Sequence, residues 1–137
     1  MRLSLLAIPF IIFFDQVTKA RFASSCNTGV AFGLFGDAGV LNIVAPVFVI
    51  GVCLYFLIRE LVSRKLEIKS NDKIVSLALS LIIGGGLANL VDRLMMGCVR
   101  DFIDLGFWPS FNLADSAVTA GVALIIFSIL FGEHERA

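Results

Sequence analysis

Four stretches of the chain are predominantly apolar, and they differ in how they end. Val40 to Ile58 is nearly uninterrupted, broken only by Asn42 and Pro46, and Ile74 to Val91 is a second long run. A helix that crosses about 30 Å of hydrocarbon needs about 20 such residues, so both predict membrane-spanning helices. Leu3 to Phe14 is too short alone and reaches spanning length only by taking in Asp15, Gln16 and Lys19. Ala117 to Phe131 likewise draws in Phe111 to Ser116, and with them Asn112 and Asp115. The pattern therefore predicts four transmembrane helices, at about 2–22, 40–58, 74–92 and 111–131.

The polar ends of these runs converge. Helix one ends with Asp15 and Lys19, helix three with Asp92 and Arg93, and helix four begins with Asn112 and Asp115. Alternating direction puts all three clusters at one face of the membrane. Ionisable groups at that depth are costly and usually mark function. Lys and Arg counting gives the orientation. The loop between helices two and three holds Arg59, Arg64, Lys65, Lys69 and Lys73, with Arg2 and Arg136 near the termini on the same side. The other side has only Lys19, Arg21, Arg93 and Arg100. Both termini are expected in the cytoplasm and the polar cluster outside. Between helices one and two, Asn27 to Phe35 mixes turn formers with Phe32, Leu34 and Phe35, which suits a small outward-facing segment on the membrane surface. A plain anchoring loop fits the same residues.

Composition agrees. Of 137 residues, 58% are hydrophobic and 16% charged, and the mean hydropathy is +0.96. A soluble domain of this size could not bury so much apolar surface. The length suits a single domain, 1–137, with no internal repeat. A net charge of zero without a basic, aromatic-interleaved patch argues against nucleic acid. The three cysteines, Cys26, Cys53 and Cys98, form no CxxC pair, so neither a metal site nor another cofactor is expected. The only histidine, His134, lies in the polar tail, which disfavours Ser–His chemistry. A cleavable signal ending near Cys26 is a rival for the N-terminus, but Asp15, Lys19 and Arg21 interrupt it.

Taken singly, the polar motifs have bland explanations. Asp15 and Lys19, four apart on a helix, favour a structural ion pair. Ser80, Gly84 and Ala88 form a small-residue stripe for helix packing. Asn89, Asp92 and Arg93 read as a positioned Arg–Asp pair with an amide beside it. Asp115 suits a helix N-terminal cap, and Asp101 a solvated interfacial acid. Asn112, Asp115, Ser116 and Thr119 share one face. Together they admit a sharper idea: two acids side by side in a poorly hydrated cleft, sharing one proton.

In this order, Asp15-Gln-Val-Thr-Lys19, Asn27-Thr-Gly29-Val-Ala31-Phe32-Gly33, Gly86-Leu-Ala-Asn89-Leu-Val-Asp92-Arg93, Val99-Arg-Asp101-Phe102 and Phe111-Asn112-Leu-Ala114-Asp115-Ser116 resemble the motif set of bacterial lipoprotein signal peptidase, also called signal peptidase II. The resemblance covers nearly the whole chain. It implies an intramembrane aspartyl endopeptidase of the bacterial inner membrane. Such an enzyme removes the signal peptide from prolipoproteins just before a cysteine that carries diacylglyceryl. It further implies Asp101 and Asp115 as the catalytic pair, Asn89 and Asn112 in support, Asp15, Lys19 and Arg93 shaping the site, and Asn27 near the substrate. Two departures stand out. Arg100 occupies a position where the family usually has an apolar residue, and Leu105 to Ser110 is shorter than usual.

The expected partners are the lipid-modified prolipoprotein and membrane lipid, with the protein a monomer. From another class, a four-helix transporter or channel with buried acids is the alternative. A Ser–Lys peptidase using Lys19 with Ser24 or Ser25 is a second. For Asp104, which follows Asp101 by one helical turn, the expectation is contact with water or with Arg100.

Overall fold

A computed structural model describes residues 2–28, 39–65 and 73–131. Most of the expected surface segment, including Val30 to Phe35, lies outside the described residues, as do Lys69 and the tail with His134. Four helices carry the fold: α1 (Arg2–Phe22), α2 (Leu41–Lys65), α3 (Lys73–Met96) and α4 (Leu113–Phe131). Of these, α2, α3 and α4 are long and apolar enough to cross a membrane. α1 has 21 residues, but Asp15, Lys19 and Arg21 crowd its last two turns.

The helix boundaries differ from expectation by two residues or more at three ends, and α3 runs on to Met96 rather than stopping near Asp92. α2 continues to Lys65 rather than stopping near Ile58, because Arg59 and Glu60 are good helix formers that sit comfortably beyond the apolar run. α4 starts at Leu113 rather than Phe111, because Asn112 is its cap.

α3 is the central helix. Its spanning window is 56% buried, against 11% for α2 and 17% for α4, and it packs on all three others. Three consecutive glycines make this possible. Successive helical residues point about 100° apart, so Gly84, Gly85 and Gly86 each meet a different neighbour. Gly84 faces Ile8 and Ile11 of α1, Gly85 faces the Ala114 carbonyl of α4, and Gly86 faces Ile50 of α2. A side chain at Gly85 would overlap that carbonyl, and one at Gly121 of α4 would come within 2.7 Å of the Ala78 carbonyl of α3. The expected small-residue stripe is buried: Ser80 and Ala88 are fully enclosed, and Gly84 touches α1. An apolar core of Ile50, Cys53 and Leu57 against Leu79, Ile82 and Ile83 joins α2 to α3.

The sequence did not predict strands, yet two short ones form. β1 (Ser25–Asn27) pairs antiparallel with β2 (Val99–Asp101), placing Ser25 opposite Asp101 and Asn27 opposite Val99. Three-residue strands show no readable alternation. This pair is held by contacts distant in sequence. A disulfide joins Cys26 to Cys98, 72 positions apart, with Cα atoms 5.6 Å apart. The Ser24 amide donates to the Asp101 carbonyl, 2.9 Å, and Phe22 packs on Phe102. A bridge between Ile103 and Phe111 then closes the short loop that leads to α4.

Candidate active site

The N-terminus of α4 brings the polar residues together. A helix start leaves amide groups without intrahelical partners, and in an apolar setting each must be met by another protein group. Two are satisfied here. The Asn112 side-chain oxygen accepts from the Asp115 amide at 2.9 Å. Asp15, reaching across from α1, accepts from the Ala114 amide at 2.8 Å. Asp115 reciprocates by accepting from the Asn112 amide at 3.2 Å. The result is a capping box with Asn and Asp in place of Ser and Glu.

Two amides then link two carboxylates. The Asn112 Nδ2 donates to Asp101 at 2.8 Å. The Asn89 Nδ2 donates to the other Asp115 oxygen at 2.8 Å, while its Oδ1 accepts from Lys19 Nζ at 2.8 Å and from Asn112 at 3.1 Å. Lys19 is therefore more than an ion-pair partner for Asp15. Its proton fixes which end of the Asn89 amide faces Asp115. Its other contacts are Asp15, 2.7 Å, and Asp92, 3.2 Å. Asp15, Lys19, Asp92, Asp101 and Asn112 are each at most 1% exposed.

Burial, and next to it the charge of Asp115, push the Asp101 carboxyl up to about 6, against hydrogen bonds from Asn112 and Asn27 that favour its ionised form. Asp101, enclosed, thus feels the charge of half-buried Asp115 across a shared asparagine. An open groove of about 480 Å³, walled by Trp108, Phe111, Ala120 and Ala123, reaches Asp115.

Every expected site residue within the described stretch lies at this end of the bundle. Asp15, Lys19, Asn89, Asn112, Asp101 and Asp115 form one connected network. Asn27 joins from β1 through its bond to Asp101. The charge of Arg93 acts on Asp115 and Asp101 from beyond ion-pair contact. One pairing differs from expectation. Asp92 is bound not by Arg93 but by Arg100 at 2.8 Å and by Lys19. Adjacent residues on a helix diverge by about 100°, so Asp92 and Arg93 face different neighbours. Asp104 is exposed, which meets the expected contact with water, and accepts from the Gly106 amide at 2.8 Å; the other partner considered, Arg100, is held by Asp92.

Gln16 was missed. Its Nε2 donates to Asp92 at 3.0 Å and to the Ala88 carbonyl at 3.2 Å, while its Oε1 accepts from Arg100 at 2.8 Å. An uncharged amide beside a charged pair attracts little notice. The available signal was a polar residue directly after Asp15 on a helix otherwise lined with Phe, Ile and Val.

The family model described as signal peptidase (SPase) II matches residues 11–131. Over 133 residues the chain is 37% identical to a lipoprotein signal peptidase of Psychromonas ingrahamii, covering 92% of this chain and 70% of the relative. A lipoprotein signal peptidase of Shouchella clausii is 38% identical over 131 residues, 94% of this chain and 78% of the relative. One from Aquifex aeolicus is 39% identical over 114 residues, but the chain spans only 62% of that relative's length. Among solved structures, a bacterial membrane enzyme determined in meso at 2.3 Å resolution superposes with a TM-score of 0.80 at 28% identity, over 100% of this chain and 93% of that one. With the family model covering nearly all of the helical bundle, the chain belongs to the signal peptidase II family.

Proposed function

We propose that this protein is an aspartyl endopeptidase that removes the signal peptide from diacylglyceryl-modified prolipoproteins, cutting just before the lipidated cysteine. The observation that carries the reading is the link from buried Asp101 through Asn112 to half-buried Asp115. The charge of Asp115 disfavours ionisation of Asp101, so in this scheme the pair holds one proton between them. The ionised carboxylate takes a proton from water, and the protonated one hydrogen-bonds the scissile carbonyl oxygen. The scheme uses no metal and no cofactor. Asn89 and Asn112 orient the pair, and Asp15, Lys19 and Arg93 shape the surrounding charge. Asn27 lies on the substrate side.

In this reading α1 crosses the membrane with the other three helices, both termini are cytoplasmic, and the site opens outward from the inner membrane of a bacterium. Residues 1–137 act as one domain and as a monomer. Exposed Phe107 and Trp108 then sit at headgroup depth, where aromatic rings are favoured. The apolar groove beside Asp115 suits a substrate that stays in lipid.

The transporter reading needs polar residues along a path, whereas α2 is apolar from Ile43 to Ile58 and the inner halves of α3 and α4 are nearly so. The Ser–Lys reading needs a free lysine, but Lys19 has all three protons engaged, by Asp15, Asp92 and Asn89. Purified protein incubated with a diacylglyceryl-modified prolipoprotein and with its unmodified form tests the proposal. The expected result is cleavage of the lipidated form alone. Equal cleavage of both forms, or of neither, contradicts it.

A further inference from the structure

Asp101 ends a three-residue strand, and so short a strand does not hold its own position. What holds it lies one residue earlier. The Arg100 amide donates to Asp92 Oδ2 at 2.9 Å, and its guanidinium donates to the same carboxylate through Nε, 3.3 Å, and Nη2, 2.8 Å. Nη2 also donates to Gln16 Oε1 at 2.8 Å, and Gln16 returns a bond to Asp92 at 3.0 Å. The Arg100 carbonyl accepts from Asn112 at 3.2 Å. One residue thus ties β2 to α1, α3 and the start of α4.

Charge counting gives the same residue a second reason to be there. Asp15 and Asp92 are two buried carboxylates, and Lys19 contacts both. One lysine cannot balance two acids, and an unpaired buried charge is strongly destabilising. Arg100 supplies the second cation, as a planar fork that lysine cannot imitate.

Resting on the aspartyl peptidase reading, we propose that Arg100 is a positioning residue, whose forked bond to Asp92 and bond to Gln16 fix the β2 backbone so that Asp101 meets Asp115. It touches no substrate in this scheme. Its loss therefore lowers turnover without weakening substrate binding.

The test compares wild type, Arg100→Gln and Arg100→Lys on a diacylglyceryl-modified prolipoprotein, with amide hydrogen exchange measured alongside. In R100Q, kcat is expected to fall about tenfold or more, since a small misplacement of a reacting group is costly. KM is expected to stay within about twofold, because ground-state binding is untouched. R100K is expected to recover part of kcat by restoring the charge without the fork. Exchange at residues 100–101 is expected to quicken in R100Q while α4 is unchanged. If R100Q does not fold, Gln16→Met, which removes the second acceptor of Arg100 along with the Gln16 bonds to Asp92 and Ala88, is expected to lower kcat in the same way. Full kcat in R100Q, or in both R100K and Q16M, overturns the proposal. A wild type that cleaves nothing removes the peptidase reading instead, and unchanged exchange at residues 100–101 in R100Q then overturns the anchoring by itself.

Discussion

Asn112 uses one side chain for two purposes, capping α4 through its oxygen and reaching Asp101 through its nitrogen. Asp115, at the third position of the helix, completes the cap and faces the second acid. The cap expected of Asp115 is therefore present, and the same geometry is the one the proposed acid pair requires. Holding Asp101 there has a cost that pH reveals. Its carboxyl rises to about 6, whereas an exposed aspartate in the unfolded chain titrates near 3.9, so the folded state binds the proton more tightly. Stability from this group then falls as pH rises through that interval. The cost is absent below about 4 and complete above about 6, at about 2–3 kcal/mol. Asp101→Asn removes the cost, so thermal unfolding at pH 8 is expected to occur several degrees above wild type. The gap should shrink toward pH 5. A variant less stable than wild type at pH 8, or a gap that widens as pH falls, contradicts the assignment. Asp101 and Asn112 were singled out through the local motifs that carry the family resemblance; by itself Asp101 also suited a solvated interfacial acid, which its enclosure rules out. The Asp92–Arg100 pair was not legible, since it joins residues eight apart across a turn, and the neighbouring Arg93 offered a simpler partner.

At the scale of elements, the helices were legible and the strands were not. Long apolar runs announce a helix whatever surrounds them. β1 and β2 owe their existence to each other, to the Cys26–Cys98 disulfide and to the anchoring of β2 on α3, none of which lies within a window of sequence. The contact between α3 and α4 was half legible: the glycine run promised close packing but not with which helix. Gly85 lies against the Ala114 carbonyl, one residue before Asp115. Gly85→Ala forces that carbonyl to move, and overpacking of this kind costs about 1–3 kcal/mol. The unfolding temperature in detergent is expected to drop, and activity to fall with it because the start of α4 shifts. Gly51 on α2 has open space around it and serves as the control, with G51A expected to match wild type. A G85A protein as stable as G51A argues against the close α3–α4 approach.

Across the whole molecule, α3 acts as a post on which α1, α2 and α4 are mounted, and the polar network spans residues from position 15 to position 115. Convergence of polar helix ends on one side was legible from alternation alone. The network that joins them was not, because which amide faces which acid depends on the crossing of helices. In that network Lys19 and Arg100 pair with Asp15 and Asp92, and in the proposed scheme Asp101 and Asp115 are the acids that take part in chemistry. The central claim is that these two act as one unit. Turnover of a diacylglyceryl-modified prolipoprotein by Asp101→Asn, Asp115→Asn and the double variant measures this directly. Each single change is expected to lower kcat by about three or more orders of magnitude with the fold intact, and the double to cost little more, because groups acting as a unit are not additive. Appreciable turnover in either single variant, or losses that multiply in the double, would contradict the account.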